Sequence, residues 1–277
     1  MKTTPYRRTA VAGRFYPAKA DALKAELAAL FSESIVSGEP KKAVAVMSPH
    51  AGIMFSGRVA ASVFKSVALP EYIVILAPNH TGIGARGAII SAGLWQSPLK
   101  DVEIARNLAK SLLESLPTLL KEDESAHFQE HSLEVIVPFI QFLKPDFKLV
   151  PIVLSALSAD ECLALAKAMK NTIDDFGKDV LVVASSDMTH YRTKAECKAL
   201  DDLALERMLA LDPKGLFDVV RANNISMCGV IPATVITAIA RETASARPQL
   251  VDYDHSSRKT FEGDDGVAYA GVVFYSE

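Results

Sequence analysis

The sequence predicts an α/β fold in which a mainly parallel or mixed central sheet is covered by helices on both faces. Short apolar runs rich in Val and Ile, at residues 43–47, 72–76, 148–154 and 180–184, alternate with longer segments of helical periodicity. Apolar runs of this length that are bounded by Pro, Gly, Ser or Asn are typical of fully buried strands. Because no linker, repeat or low-complexity segment interrupts this alternation, we expect a single domain over residues 1–277.

The helices are predicted from apolar stripes and from end signals. The first helix has its apolar face at Leu23, Leu27, Leu30 and Phe31. We expect Ser56 to cap the next helix, and Ser158 with Glu161 to form a capping box for a later one that ends near Gly177. Other helices are expected over residues 101–116, 130–143, 194–211, 213–222 and 230–243, with further strands at 88–92 and 267–275. In the 130–143 helix, Pro138 should produce a kink or lie near the start.

The composition excludes several classes of function. The formal net charge of −3 gives no basic field for nucleic acid or an anionic membrane, so neither is an expected partner. No apolar run reaches the roughly 18 residues of a membrane span. The polar and basic segment Met1–Thr9 does not resemble a signal peptide, and we expect a cytoplasmic protein. Three cysteines without a Cys-x-x-Cys pair predict neither a disulfide framework nor a zinc knuckle.

Three polar turns follow three of the predicted strands and carry the residues most suited to chemistry. The turns are Ser48-Pro49-His50-Ala51-Gly52, Ala77-Pro78-Asn79-His80 and Ser185-Ser186-Asp187-Met188-Thr189-His190. In open α/β sheets, active sites lie outside the carboxyl ends of the strands. We therefore expect His50, His80, Asp187 and His190 to share one pocket, the alternative being that each histidine only caps its own turn.

The third turn offers an acid or base. With an ordinary pKa of about 6.5, His190 is the better candidate for proton transfer near neutrality. Asp187 could orient an imidazole, serve as a further metal ligand, or merely cap the following helix.

Of the three cysteines, Cys228 is the one expected to function. It lies in a Gly-flanked loop before a helix that is predicted to start around Pro232, and a helix N-terminus lowers the pKa of a cysteine, so a thiolate is expected there. Cys162 and Cys197 lie inside predicted helices and are expected to be buried and inert.

A further motif gives a competing interpretation. His127-Phe128-Gln129-Glu130-His131 matches H-x-x-E-H, the zinc-binding helix of inverzincin peptidases. The match is short and has no marked third ligand downstream. The preferred interpretation is that Glu130, His131 and Glu134 line the pocket of the other histidines or hydrogen-bond to its ligands.

Taken together, these residues resemble the Memo family, found in bacteria and archaea as protein B of the AmmeMemoRadiSam system. The resemblance depends on the three turns above, the second through Pro78-Asn79-His80, and on three further motifs: Ala12-Gly13-Arg14-Phe15-Tyr16-Pro17, Glu130-His131-Ser132-x-Glu134, and Cys228-Gly229 with Pro232. The family is similar in fold to class III extradiol (LigB-type) dioxygenases, which hold non-haem iron with two His and a Glu. The resemblance implies that His50, His80 and Cys228 surround a metal, with Asn79 at the pocket, His190 as acid or base and Asp187 beside it.

The resemblance implies a metal-dependent, dioxygenase-like oxidoreductase that acts on a small molecule, with Fe(II) as the expected cofactor. Because thiolate is softer than carboxylate and is readily oxidised, Cu becomes a rival to Fe, and Zn is also possible. Association with the other AmmeMemoRadiSam proteins is a further expectation. Two alternatives remain: a non-catalytic adaptor that keeps the pocket, and a zinc-dependent hydrolase. Phosphopeptide binding, described for eukaryotic relatives, is not expected, because Gly229-Val230-Ile231-Pro232 contains no basic residue.

Overall fold

In the part of the chain that the structure describes, a nine-stranded mixed sheet forms the centre, and a three-stranded sheet is separate from it. The structure is a computed structural model that describes residues 6–258 and 264–276. Residues 1–5, 259–263 and 277 of the predicted domain, which include the first part of the Met1–Thr9 segment, lie outside the described residues.

The strands of the described residues are numbered in chain order. They are β1 (Tyr6–Arg7), β2 (Ala43–Ser48), β3 (Tyr72–Pro78), β4 (Gly87–Ile89), β5 (Leu94–Trp95), β6 (Val102–Glu103), β7 (Lys121–Glu122), β8 (Lys148–Leu154), β9 (Val180–Ser185), β10 (His190–Thr193), β11 (Arg247–His255) and β12 (Asp265–Tyr275).

The α-helices of the same residues are α1 (Ala20–Glu33), α2 (Ile53–Lys65), α3 (Arg106–Ser115), α4 (Val137–Leu143), α5 (Ala159–Phe176), α6 (Lys194–Leu209), α7 (Pro213–Ala222) and α8 (Val230–Arg241). Two short 3-10 helices are present at Ser125–His127 and Ser256–Arg258.

The centre of the large sheet is parallel. Strands β2, β9, β3 and β8 lie side by side in this order and run in the same direction. On one side β12 pairs antiparallel with β2, and on the other β4 pairs antiparallel with β8. The mixed α/β sheet predicted from the sequence is confirmed, and its parallel centre places the ends of β2, β9 and β3 at one edge.

Two hydrophobic layers cover the sheet because alternate residues of each buried strand face opposite sides. In β3, Val74 and Leu76 pack with helices α3, α5, α6, α7 and α8, whereas Ile73 and Ile75 pack with α1, α2 and α4. Helices therefore lie on both faces of the sheet, as the sequence predicts.

Local sequence signals account for several element boundaries. Ser158 and Glu161 form the predicted capping box of α5, and Gly177 ends that helix with a positive φ of 67°. Pro138 lies in the first turn of α4, where a missing N–H costs no helical hydrogen bond.

Three helix predictions were wrong at their N-termini. The helix expected over residues 101–116 begins only at Arg106, because Val102 and Glu103 form strand β6. Helix α2 begins at Ile53 after Gly52, so Ser56 lies inside the helix, where its hydroxyl donates to the Ala51 carbonyl oxygen over 3.0 Å. The apolar segment from Glu130 becomes an α-helix only at Val137, because hydrogen-bonded turns occupy residues 132–136.

No helix among the residues that the structure describes combines the length and the apolar character required to cross a bilayer.

Candidate metal centre

The three polar turns meet at one edge of the sheet because the strands before them are parallel neighbours. Ser48 at the end of β2 lies opposite Ser185 at the end of β9, and Leu76 of β3 lies opposite Ala184. The residues that follow these strands are therefore close in space. The imidazole rings of His50 and His80 have their centroids 5.3 Å apart.

A third histidine joins this pair. Within the described part of the chain, His50, His80 and His131 form a group in which one ring nitrogen of each lies within 4.8 Å of the others. The His131 ring stacks on His80 with centroids 4.7 Å apart and meets His50 edge-on at 5.5 Å. His131 comes from the segment directly before the turns that lead into α4, and it has no strand directly before it.

Hydrogen bonds assign the tautomer of His50. Its Nδ1 lies 2.6 Å from the Ser185 hydroxyl, and that hydroxyl donates to the Ser132 carbonyl oxygen over 2.6 Å. The Ser185 oxygen must then accept a hydrogen bond from Nδ1–H, which leaves the lone pair of His50 on Nε2. This nitrogen is therefore available to a metal ion.

Glu130 fixes His80 in the same way. The carboxylate accepts from Nδ1 of His80 over 2.9 Å, from the His80 backbone N–H over 2.5 Å and from the Ser132 N–H over 2.9 Å. Burial by itself would raise the pKa of Glu130, but these hydrogen bonds outweigh it and hold the pKa at about 2. A carboxylate on one ring nitrogen orients a histidine and increases the basicity of the other nitrogen, which favours metal binding.

The electrostatic environment keeps at least two of the histidines neutral. Burial lowers the pKa of His50 well below its usual value, and the neighbouring His80 and His131 lower it further. Burial also lowers the pKa of His131, although Glu130 opposes this shift. Neutral imidazole is the form that coordinates metal ions.

Cys228 lies at one side of the histidine group. Its sulfur is 3.4 Å from Nε2 of His50 and accepts the backbone N–H of Asp187 over 3.2 Å. The next residue needs to be glycine, since a Cβ on Gly229 would lie 2.3 Å from the Ser185 carbonyl oxygen. The loop after α7 thus brings the sulfur against one histidine.

The expectation of a lowered thiol pKa at Cys228 was wrong. Helix α8 begins at Val230, two residues after the cysteine, but burial raises the pKa of the thiol and the negative charge of Asp187 raises it further. The helix N-terminus does not compensate for these two effects. Thiolate formation at this position would need a cation beside the sulfur, as a bound metal provides. As expected, Cys162 and Cys197 are buried in α5 and α6.

Asp187 supports the turn that carries His50. One carboxylate oxygen accepts the backbone N–H groups of His50 over 2.8 Å and Ala51 over 3.3 Å, and the other lies 4.0 Å from Nε2 of His50. The alternative in which Asp187 caps the next helix is excluded, because Thr193 and Glu196 form a capping box for α6.

His190 begins β10 on the far side of this turn. Its backbone N–H donates to the Ser226 hydroxyl over 2.8 Å, while Nδ1 of its ring is buried and has no hydrogen-bond partner among the described residues. The preceding Thr189 is held by the buried Asp201 carboxylate through its N–H at 3.0 Å and its hydroxyl at 2.6 Å. The backbone of this turn is thus held in place, and the buried ring nitrogen has no hydrogen-bond partner within residues 6–258 and 264–276.

Two other predicted pocket residues have structural partners elsewhere. Asn79 organises its own loop by accepting from Thr81 and Gly82 and donating to the Ile83 carbonyl oxygen. Both carboxylate oxygens of Glu134 bind the N-terminal segment, residues 7–16. They accept hydrogen bonds from four groups: the guanidinium of Arg7, the N–H groups of Ala10 and Val11, and the hydroxyl of Tyr16.

The N-terminal segment reaches the histidine group through an aromatic contact. The ring of Phe15 meets the His131 ring edge-on with centroids 4.9 Å apart, and its carbonyl oxygen accepts the N–H of Ile53 at the start of α2. Sequence reasoning did not assign a role to Phe15, and only its place in the Gly13-to-Pro17 aromatic turn could have indicated one.

The helical zinc motif of the peptidase interpretation does not form. Residues 125–127 are a 3-10 helix and residues 130 and 131 are not helical, so His127 and His131 do not share a helical face. His127 is buried and its Nε2 is 3.2 Å from the Ala88 carbonyl oxygen. It therefore lies outside the histidine group.

The donor set fits a transition metal. Imidazole suits Fe, Cu and Zn, and a neighbouring sulfur favours the softer of these ions. In both His50 and His80, the nitrogen that would not bind the metal already has a hydrogen-bond partner in the protein. His50, His80 and His131 could hold the ion, and Cys228 is positioned beside His50. The molecule is thus an α/β protein with a histidine cluster at the carboxyl edge of its sheet.

The comparisons with known proteins place this chain in a family. It matches the family described as Memo-like protein over residues 7–273. It is 33% identical to MEMO1 family protein MK0963 of Methanopyrus kandleri, and the alignment covers 97% of this chain and 98% of that protein. MEMO1 family proteins of Pyrobaculum arsenaticum and Archaeoglobus fulgidus are 35% and 36% identical, each over 97% of this chain and 99% of the relative. The chain belongs to the Memo family.

A solved structure supports the fold. The uncharacterized protein JW3007 from Escherichia coli K12 superimposes with a TM-score of 0.56 over 82% of this chain and 98% of that one. The sequences are 13% identical, so the match concerns the fold alone.

Proposed function

We propose that the protein is a metal-dependent, dioxygenase-like oxidoreductase that uses non-haem Fe(II) and acts on a small molecule. The observation that carries the proposal is the group of ring nitrogens from His50, His80 and His131 within 4.8 Å of one another. The group combines the buried His50 with the more accessible His80 and His131, and neutral imidazole nitrogens gathered in this way are a common set of metal ligands.

Two of the ligands in this proposal are His50 and His80, and two residues compete for the third position. The family resemblance favours Cys228, whereas the distances favour His131. Cys228 contacts His50 over 3.4 Å but does not belong to the group that shares a common centre. A sulfur ligand from Cys228 would have to approach the nitrogens of His80 and His131 more closely than the group of three histidines requires of it.

A metal ion bound here would supply Lewis acidity and, in the case of iron, one-electron redox chemistry. The protein residues supply the remaining functions. The free Nδ1 of His190 accepts a proton from the bound substrate, and Asp187 holds the His50 turn through two backbone N–H groups. Glu130 fixes the ring of His80. Asp201 and Ser226 hold the backbone of the turn from which the His190 ring projects.

Copper and zinc are the rival ions. Copper binds a given set of nitrogen and sulfur ligands more tightly than iron does, so a preference for iron would depend on geometry and on metal supply. Family membership also supports association with the other AmmeMemoRadiSam proteins as part of this proposal.

Anaerobic loading with Fe(II) tests the proposal. We expect stoichiometric iron, together with a nitrosyl adduct in the electron paramagnetic resonance spectrum that reports an open coordination position. His50→Ala and His80→Ala should each reduce iron affinity by at least about 100-fold. The matched control Cys162→Ala changes a buried cysteine of α5 and should leave iron binding unchanged.

Two further variants identify the third ligand. Whichever of Cys228→Ser and His131→Gln weakens iron binding more marks the residue that completes the set. A folded wild-type protein that binds neither Fe, Cu nor Zn would contradict the enzyme proposal and favour the adaptor function.

A further inference from the structure

A strained aromatic residue stands directly after the proposed acid or base. Tyr191 has a positive φ of 57° although it is not glycine, and the pairing of β10 with β12 is interrupted by a bulge between His190 and Arg192. An L-residue rarely adopts this backbone conformation, and such strain clusters at sites of function. A bulge redirects the side chain away from the regular alternation of the strand.

The strained backbone of Tyr191 is held by hydrogen bonds on both sides and does not belong to a poorly anchored loop. On the side before Tyr191, the Thr189 and His190 backbone N–H groups donate to Asp201 and Ser226. On the side after it, Thr193 caps α6. The surrounding hydrogen bonds therefore hold Tyr191 in its conformation.

The conformation exposes an aromatic ring beside the site. At 84% exposure, Tyr191 is the most exposed of the large apolar side chains in the described residues. Its ring centroid lies 5.8 Å from that of His190. The buried Nδ1 of His190 has no hydrogen-bond partner among the described residues. A strained backbone that holds an aromatic ring in water is unfavourable for folding, and a ligand that covers the ring would offset this cost.

Other exposed apolar residues lie within a few positions of the three histidines in the sequence. Met54 comes four residues after His50, and Ile83 comes three residues after His80. Phe128 comes three residues before His131, and its side chain is also exposed. Each histidine of the group therefore has an exposed apolar residue within four positions of it in the sequence, and Met54 lies in the first turn of α2.

We propose that Tyr191 is a specificity-determining residue that receives the apolar, planar body of a substrate whose polar end binds the metal. The inference rests on the proposed function, because it needs an ion held by the histidine group. It adds a substrate class: a metal-chelating head joined to a flat apolar body, in preference to a small chelator alone.

Hydroxamates provide matched probes, since acetohydroxamate and benzohydroxamate present the same chelating head with and without a phenyl ring. We expect the Co(II)-loaded wild-type protein to bind benzohydroxamate about tenfold more tightly, corrected for the affinities of the two probes for free Co(II). Tyr191→Phe should retain this preference. Tyr191→Ala should abolish it while leaving the affinities for acetohydroxamate and for Co(II) unchanged.

Two further variants separate recognition from folding. Tyr191→Gly accepts the positive φ without strain, so it should unfold at the same temperature as wild type or higher, yet lose the preference for benzohydroxamate. Ile35→Ala removes another exposed apolar side chain, one outside the site loops, and should keep the preference.

The outcomes distinguish the two proposals. If Co(II) binds but wild type shows no preference, or if Tyr191→Ala and Tyr191→Gly retain it, the role of Tyr191 is refuted and the metal centre stands. If wild type binds no metal ion, the proposed function fails and this inference fails with it.

Discussion

Replacing His127 by Phe should remove a large part of the acid sensitivity of the fold. His127 is completely buried, and its Nδ1 has no hydrogen-bond partner among the described residues. Burial lowers its pKa from 6.5 to about 4, in spite of the hydrogen bond with the Ala88 carbonyl oxygen that favours the charged form. The folded protein therefore resists protonation of a side chain that the unfolded chain protonates readily.

The sign and size of the effect follow from linkage. Because the folded pKa of His127 is below the unfolded value, its contribution to stability is fully present above pH 6.5 and is lost as the pH falls toward 4. A shift of about 2.5 pKa units corresponds to about 3 kcal/mol in total, of which about 2 kcal/mol is lost between pH 7 and pH 5.

Urea unfolding at pH 7 and pH 5 measures this contribution. The His127→Phe protein should lose about 2 kcal/mol less stability than wild type between the two pH values. The variant also leaves the Ala88 carbonyl oxygen without its partner, which should cost about 1 kcal/mol at both pH values and cancel in the comparison. Parallel pH dependences for wild type and variant would refute the assignment of His127 as a buried, neutral, structural histidine.

Three other predictions concern two residues that pack around the site, Glu134 and Gly229, and the metal ion itself. Glu134→Gln breaks a buried ion pair with the N-terminal segment and should lower the free energy of unfolding in urea by about 3 kcal/mol, whereas the exposed Glu114→Gln should change it by less than about 0.5 kcal/mol. Gly229→Ala places a Cβ 2.3 Å from a backbone oxygen of β9 and should cost at least about 2 kcal/mol in the same assay, while Gly52→Ala, whose Cβ would have no neighbour closer than 3.7 Å, should cost less than about 1 kcal/mol. A metal ion present at 100 times its dissociation constant should stabilise the fold by about 2.7 kcal/mol, and a chelator should reverse the accompanying rise in melting temperature; a melting temperature that does not respond to metal would contradict binding to the folded state.

The convergence of the site was predictable because it depends on few rules. Buried strands were visible as runs of Val and Ile, and parallel neighbours place the residues after their carboxyl ends at one edge. His50 and His80 each follow such a strand directly, so their proximity follows from the chain order and the sheet. His131 has no strand before it, and only the packing of the turn against the strand ends brings its ring to the group.

Strand β11 shows what the local sequence could not indicate. Asp252 and Asp254 are buried in this strand, which breaks the apolar alternation that identifies a strand. Both are paired with Arg58 of α2, and Asp252 also accepts from the Ser62 hydroxyl. A buried carboxylate is tolerated only with such partners, and Arg58 and Ser62 are about 190 residues away along the chain.

The pKa of Cys228 was mispredicted for a related reason. Its position before a helix was visible in the sequence, but its burial and the approach of Asp187 depend on how the loop packs against β9. A rule based on the helix N-terminus alone therefore gave the wrong direction.

Anomalous scattering from crystals of the anaerobically loaded protein, recorded on both sides of the iron absorption edge, tests the central claim most directly. We expect one strong peak that lies within coordination distance of ring nitrogens from both His50 and His80, with His131 or the Cys228 sulfur as the third ligand. A peak at another position, or iron-loaded crystals in which the rings of His50 and His80 point away from the ion, would contradict the account.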